Sequence, residues 1–216
     1  MNIPFSPEQF FGVFVGYNTT IWPTQIVLNL LAVVAIALCL RPNVPSRIVS
    51  AILGALWMWT GVVYHIMFFS TVNPAAFLFG LIFVAQGFLF VVLGSFRQAL
   101  MFRFQRTLRG YAGWVLIVYG LLVYPLLGYL LGHVYPASPT FGAPCPSTIF
   151  TLGLLLWTTN KVKPYLFILP FLWSIVGFLA ALSLGVFEDV GLLLAGVVGT
   201  ALLTMRSGAG TPMTSG

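Results

Sequence analysis

Long apolar runs fill this chain, separated by short breaks that carry most of its polar and basic residues. Most of the runs approach the ~20 residues that an α-helix needs to cross a bilayer. They predict spans at 20–40, 48–69, 74–96, 111–131, 146–159, 164–184 and 190–205, hence an all-α, polytopic membrane bundle of seven transmembrane helices. Ahead of them, Ser6, Pro7 and Glu8 form a helix start, with a capping hydroxyl, a proline at the first position and an acid near the positive dipole end. The apolar FFGVFVGY that follows is too short to span, so 1–18 reads as an interfacial or partly re-entrant helix on the outer face. The alternative is an outer extension of the first span. The expected domains are therefore 1–18, a seven-helix domain over 19–206, and a Gly- and Ser-rich flexible tail at 207–216.

Composition agrees with a lipid-facing surface. The chain has 216 residues, 60% hydrophobic and 6% charged, with mean hydropathy +1.04, where soluble domains are about 25% charged. Charge then sets the orientation. Arg41 and Arg47, the group Arg97, Arg103, Arg106 and Arg109, the pair Lys161 and Lys163, and Arg206 all fall on one side of the expected spans. Glu8, Glu188 and Asp189 fall on the other. Basic short loops are cytoplasmic, so the amino terminus is expected outside and the carboxyl terminus inside. The basic loop 97–109 interleaves aromatics with arginines and is expected to sit on anionic lipid headgroups; nucleic acid is not an expected partner. Gly128 and Gly132 form a GxxxG, and Gly191, Ala195 and Gly199 a small-residue stripe, both expected to bring helices close. A homo-oligomer contact is the alternative use of either. Pro23, Pro125 and Pro170 are expected kinks.

The spans carry no Asp, Glu, Lys or Arg at the expected membrane depth, which argues against a proton pump, and the last span lacks a lysine for retinal. Asn29, Gln86 and Ser174 are the expected polar groups of the bundle interior. Chemistry-bearing residues collect at the outer face instead: Glu8, Tyr64, His65, Asn73, His133, Cys145 and Thr148. The run 146–159 corresponds to ~21 Å of helix against a ~30 Å hydrocarbon core. Lys161 and Lys163 pin its inner end, and the proline-rich segment before it cannot be a regular helix. That segment is expected to dip inward and form a recess around Cys145, a cap residue, as a ligand or substrate cavity. His65, His133 and Cys145 are the metal candidates, although none stands at a diagnostic spacing. No catalytic base and orienter accompany Cys145, so an enzyme ranks last.

The stretches IPFSPEQFFGVFVGYN, WMWTGVVYHIMFF, STVNPAAFLFG, YPLLGYLLGHVYP and APCPSTIFTLGLLLW resemble a family of bacterial multipass membrane proteins catalogued as a domain of unknown function, sometimes labelled a permease. The resemblance implies a protein of the bacterial inner (plasma) membrane and transfers no activity. From the kinked spans and buried polar groups, the expected function is a small-solute permease or channel-like transporter with an outer-face cavity near Cys145. The alternatives are an outer-face ligand or metal sensor, or a structural subunit of a membrane assembly.

Overall fold

The computed structural model describes residues 4–41 and 45–205. Arg206 and the expected tail lie outside the described residues. The fold is all helical, without a strand among the described residues. Helix α1, Pro7–Ile21, starts as expected: Ser6 Oγ accepts from the Gln9 amide at 3.3 Å, and the Gln9 side chain accepts from the Ser6 amide at 2.9 Å. It runs past residue 18 and meets α2, Thr24–Leu40, at 86°, so α1 is not a straight extension of the next helix. Pro23 caps α2 at this corner and breaks the rod rather than kinking it.

Helix α3, Ser46–Trp59, continues as a π-helix over Thr60–Phe68 and one 3-10 turn to Thr71. Helix α4, Ala76–Leu89, likewise ends in a π-helix, Phe90–Phe96. Helices α5, Leu108–Val118, and α6, Tyr124–Leu130, are joined by a π-helix, Tyr119–Val123, immediately before Pro125. Proline lacks an N–H, and the wider π turn accommodates the missing bond. Helix α7 is Pro144–Leu156 and α8 is Ile168–Leu184; a 3-10 turn, Phe187–Asp189, leads into α9, Val190–Thr204. Pro170 lies in the first turn of α8, where a proline needs no hydrogen bond, so it makes no kink. Among the described residues, four rods are long and apolar enough to cross a membrane, or five with α1 and α2 counted as one bent span. Helices α7 and α8, of 13 and 17 residues, are shorter.

The packing puts apolar side chains on the outside and polar ones within. Ile26, Val33, Leu81, Leu122 and Leu194 lie exposed on the outside, whereas Gln86, Thr151, Ser174 and Thr60 are buried within. Helix α7 is the axis: every residue but Cys145 is buried, against α3, α5, α8 and α9. Without a hydrophobic gain from leaving lipid, such contacts rest on close approach. A Cβ on Gly54 would stand 2.8 Å from the Gly87 carbonyl, and one on Gly87 2.7 Å from that of Gly54. Gly61 and Gly80 repeat the reciprocal contact seven residues on, as do Gly113 and Gly153 between α5 and α7. The expected GxxxG is not such a contact. Gly132 adopts a positive φ of 94° just past the end of α6 with nothing within 4 Å, and ends the helix instead of packing it.

An extended strap closes the bundle end opposite the acidic pair. Phe104 donates its amide to Cys39 O, Phe102 to Ser46 Oγ and Arg103 to Trp157 O, stitching together the ends of α2, α3 and α7. Leu100 and Phe102 point inward while Met101 and Arg103 are exposed, the period-two pattern of an extended chain. All the described basic residues lie at this end, on the strap or beside the residues it binds.

Candidate functional site

The segment 133–143 enters the other end of the bundle as irregular backbone, held by side chains. Asn18, fully buried near the end of α1, uses all its hydrogen-bonding capacity there. Its amide nitrogen donates to Pro136 O at 2.7 Å and Ser138 O at 2.8 Å, while its oxygen accepts from Gln25 at 2.7 Å and Thr140 at 2.8 Å. Thr60 donates to Gly142 O at 3.2 Å. Eleven residues separate Thr60 from the end of its rod at Thr71, so the segment reaches roughly 16 Å into the bundle at the α-helical rise. Gly142, at φ 101°, makes the final turn where a Cβ would also crowd Leu28 and the Tyr17 hydroxyl at 3.0 Å. Helix α7 then begins at Pro144, with Ala143 as its cap. Cys145 is thus the second residue of the helix and not its cap, because Pro144 takes the first position that suits a proline.

Beside this segment lies a cavity of about 170 Å³, walled by α1, the π-helix Thr60–Phe68, the start of α7, α8 and the 3-10 turn Phe187–Asp189. Its walls are largely aromatic: Phe5, Phe10, Phe14, Tyr64, Phe69, Phe79 and Trp173. His65 is wholly buried in that wall, its ring centroid 4.7 Å from Phe83, 5.1 Å from Trp173 and 5.3 Å from Tyr64. Neither of its ring nitrogens has a partner among the described residues. The Trp173 indole N–H meets only the Cys145 thiol, a weak acceptor. Asp189, 3% exposed, accepts the Tyr124 hydroxyl at 2.7 Å and has the Cys145 thiol beside it. The π segments set part of this geometry: one carries Tyr64 and His65, and another delivers Tyr124. Such insertions recur at functional sites.

Of the residues expected at the outer cavity, Tyr64, His65, Asn73 and Cys145 line it. Asn73 also caps its own turn, accepting the Ala75 amide at 3.1 Å. Thr148 is buried one turn further along α7, outside the lining. Glu8 is exposed on the first turn of α1, because Phe10 and Phe14 occupy the inward face. His133 is drawn away from the cavity: its Nδ1 pairs with Glu188 at 2.9 Å and its ring lies against Phe11. The metal candidates accordingly do not converge, and no group of three His, Cys, Asp or Glu that could hold an ion occurs among the described residues.

Gln86 and Ser174 are fully buried, donating to Leu166 O and Phe171 O. Asn29 is not interior. The buried face of α2 runs through Gln25, Leu28, Ala32, Ala35 and Cys39, and Asn29 falls off it, donating to Gln25 O at 2.8 Å. Asp189, expected at the outer face but not in the cavity, lines the wall, as do Tyr124 and Trp173, which sequence reasoning left out. The acids Glu188 and Asp189 stand in the turn just before α9, as expected, and are buried there rather than at a wet rim.

Neither the curated proteins nor the solved structures contain a match to this chain. A family model described as a family of unknown function, DUF6064, matches residues 7–209. The match covers the cavity wall except Pro4 and Phe5, from α1 to the turn that carries Asp189, and the chain belongs to this family.

Proposed function

We propose that this protein is a seven-span membrane protein, of the bacterial inner membrane, that binds a small molecule in the cavity beside Cys145. The observation that carries the reading is the cavity wall itself: a fully buried His65 with both nitrogens unpartnered, and a buried Asp189 in the same wall. Ionisable groups inside a membrane bundle are costly and mark functional sites by default. Unpartnered buried polar atoms call for a reason of the same kind. The seven-span path, amino terminus outside, is supported by the strap, which joins the ends of α2, α3 and α7 at the basic end.

Binding followed by sensing or regulation is favoured over passage through the bundle. Below the cavity, α7 is encased and the strap lies across its far end. The permease reading keeps one support, a buried carboxylate of the kind coupled carriers use. The test is binding to the full chain in nanodiscs of choline, acetate and menadione, taken as a cation, an anion and a neutral ring. Saturable binding of one probe, lost when Ala180→Trp fills the cavity from α8, is the expected result; no saturable binding of any probe would overturn the proposal. Uptake of the bound probe into proteoliposomes would move the reading from sensor to permease.

A further inference from the structure

We propose that the ligand of this cavity is an uncharged, lipid-soluble ring compound bearing a carbonyl or hydroxyl oxygen, of the quinone class, which enters from the bilayer between α1 and α8. The inference rests on the binding proposal above and names the chemistry it takes.

The polar atoms with spare capacity define the ligand's polar end. A neutral imidazole offers one N–H donor and one acceptor nitrogen, and which nitrogen plays which role is interchangeable. In His65 neither is used. Trp173 adds a donor whose only neighbour is a thiol. A carbonyl oxygen would accept from both donors, and a ring hydroxyl would accept from Trp173 while donating to the acceptor nitrogen of His65. A quaternary ammonium could use none of these three atoms. An anion would meet no Lys or Arg in the cavity wall and would face the Asp189 carboxyl. Asp189 is itself already engaged by Tyr124 and Cys145.

The walls define the body of the ligand. Aromatic rings surround His65 on several sides, which suits a flat partner stacked offset or edge-on. The volume, about 170 Å³, lies below the roughly 300–1,000 Å³ of drug-sized pockets, so one or two rings fit. The route is set by a thin wall. Val176 both lines the cavity and is 41% exposed on the outside of α8. Phe5 and Phe10, also in the cavity wall, stack with rings 6.0 Å apart and pack on Ala181, Leu184 and Val186 at the end of α8 and just beyond it. Side chains alone close this seam, and they can move aside without unfolding a helix.

The experiment is equilibrium binding of labelled menadione to the full chain in nanodiscs, with excess unlabelled menadione to isolate the saturable part. Saturable binding is expected, weakened at least tenfold in His65→Phe and in Trp173→Phe, and unchanged in Asn29→Leu on the exposed face of α2. Phenylalanine at 65 replaces one ring by another in an aromatic wall, so thermal unfolding of that variant should match the parent and exclude misfolding as the cause. Binding that is not saturable, or that ignores both wall substitutions, overturns the inference. Saturable choline or acetate binding, blocked by Ala180→Trp while menadione fails, overturns the ligand class and leaves the cavity proposal standing. Failure of all three probes removes both.

Discussion

Asn18 should be the side chain on which the irregular segment 133–143 depends. Its amide makes four bonds, of 2.7 to 2.8 Å, that no neighbour can replace. Interhelical hydrogen bonds in membranes average about 0.6 kcal/mol each, so four set a floor near ~2.4 kcal/mol for Asn18→Ala. The substitution also strands the carbonyls of Pro136 and Ser138, while the Gln25 amide keeps Thr140 at 3.3 Å, and an unsatisfied buried group costs about 1–3 kcal/mol. The combined loss should fall at about 3–5 kcal/mol, since the effects overlap. Asn18→Asp is the sharper variant. It keeps the oxygen that serves Gln25 and Thr140 but turns a second oxygen toward the carbonyls of Pro136 and Ser138. It should therefore destabilise as much as alanine does, although it differs from asparagine by one atom. Thermal unfolding in detergent, with amide exchange across 135–142 read by mass spectrometry, measures both effects. Unfolding within about 0.5 kcal/mol of the parent for both variants, with protection of 135–142 unchanged, would refute the role assigned to Asn18.

The reciprocal glycine contacts make Gly54→Ala costly, by about 1–3 kcal/mol as an overpacked interface. Gly12→Ala, with nothing within 4 Å of the new methyl, should be neutral or stabilise by about 0.4–1 kcal/mol; chemical unfolding of the two side by side checks the pair. Removing His133 takes away the hydrogen-bond partner of the buried Glu188 side chain, so His133→Ala should cost about 1–3 kcal/mol. Adding Glu188→Gln should restore much of that loss in a double-mutant cycle. Orientation is tested by Arg106→Cys on the exposed side of the strap: a membrane-impermeant thiol reagent should label it only after the membrane is opened. Labelling of intact cells would reverse the assignment of inside and outside.

The helices were legible because long apolar runs have few other solutions, and the one-sided placement of basic residues foretold the end at which the strap lies. The inward turn of the chain before Cys145 was legible for a related reason: a short run and a proline-rich neighbour leave the backbone nowhere else to go. What stayed hidden depends on partners distant in sequence. Asn18 looks like the end of an interfacial stretch until residues 136 to 140 arrive above it. LMFRFQ alternates with period two, yet only the free ends of α2, α3 and α7 make it a strap. Asn29 went astray because a wholly apolar helix shows no inward face from its own sequence. The glycines at Gly54 and Gly61 are seven apart and face Gly80 and Gly87, a spacing that a search for GxxxG passes over.

The encasement of α7 has a consequence for how the protein is made. Its segment PCPSTIFTLGLLL is enclosed by protein at every residue but Cys145, so its outer surface is matched to neighbouring helices and to nothing else. Nor can it leave the translocon as a stable free helix and assemble later, since it is about 20 Å long by its 13 residues. It has to be received by α3 and α5, made before it, and then covered by α8 and α9, made after it. Biogenesis should therefore stall in a ribosome-bound intermediate, with α7 sheltered on one flank only, until the last two helices emerge.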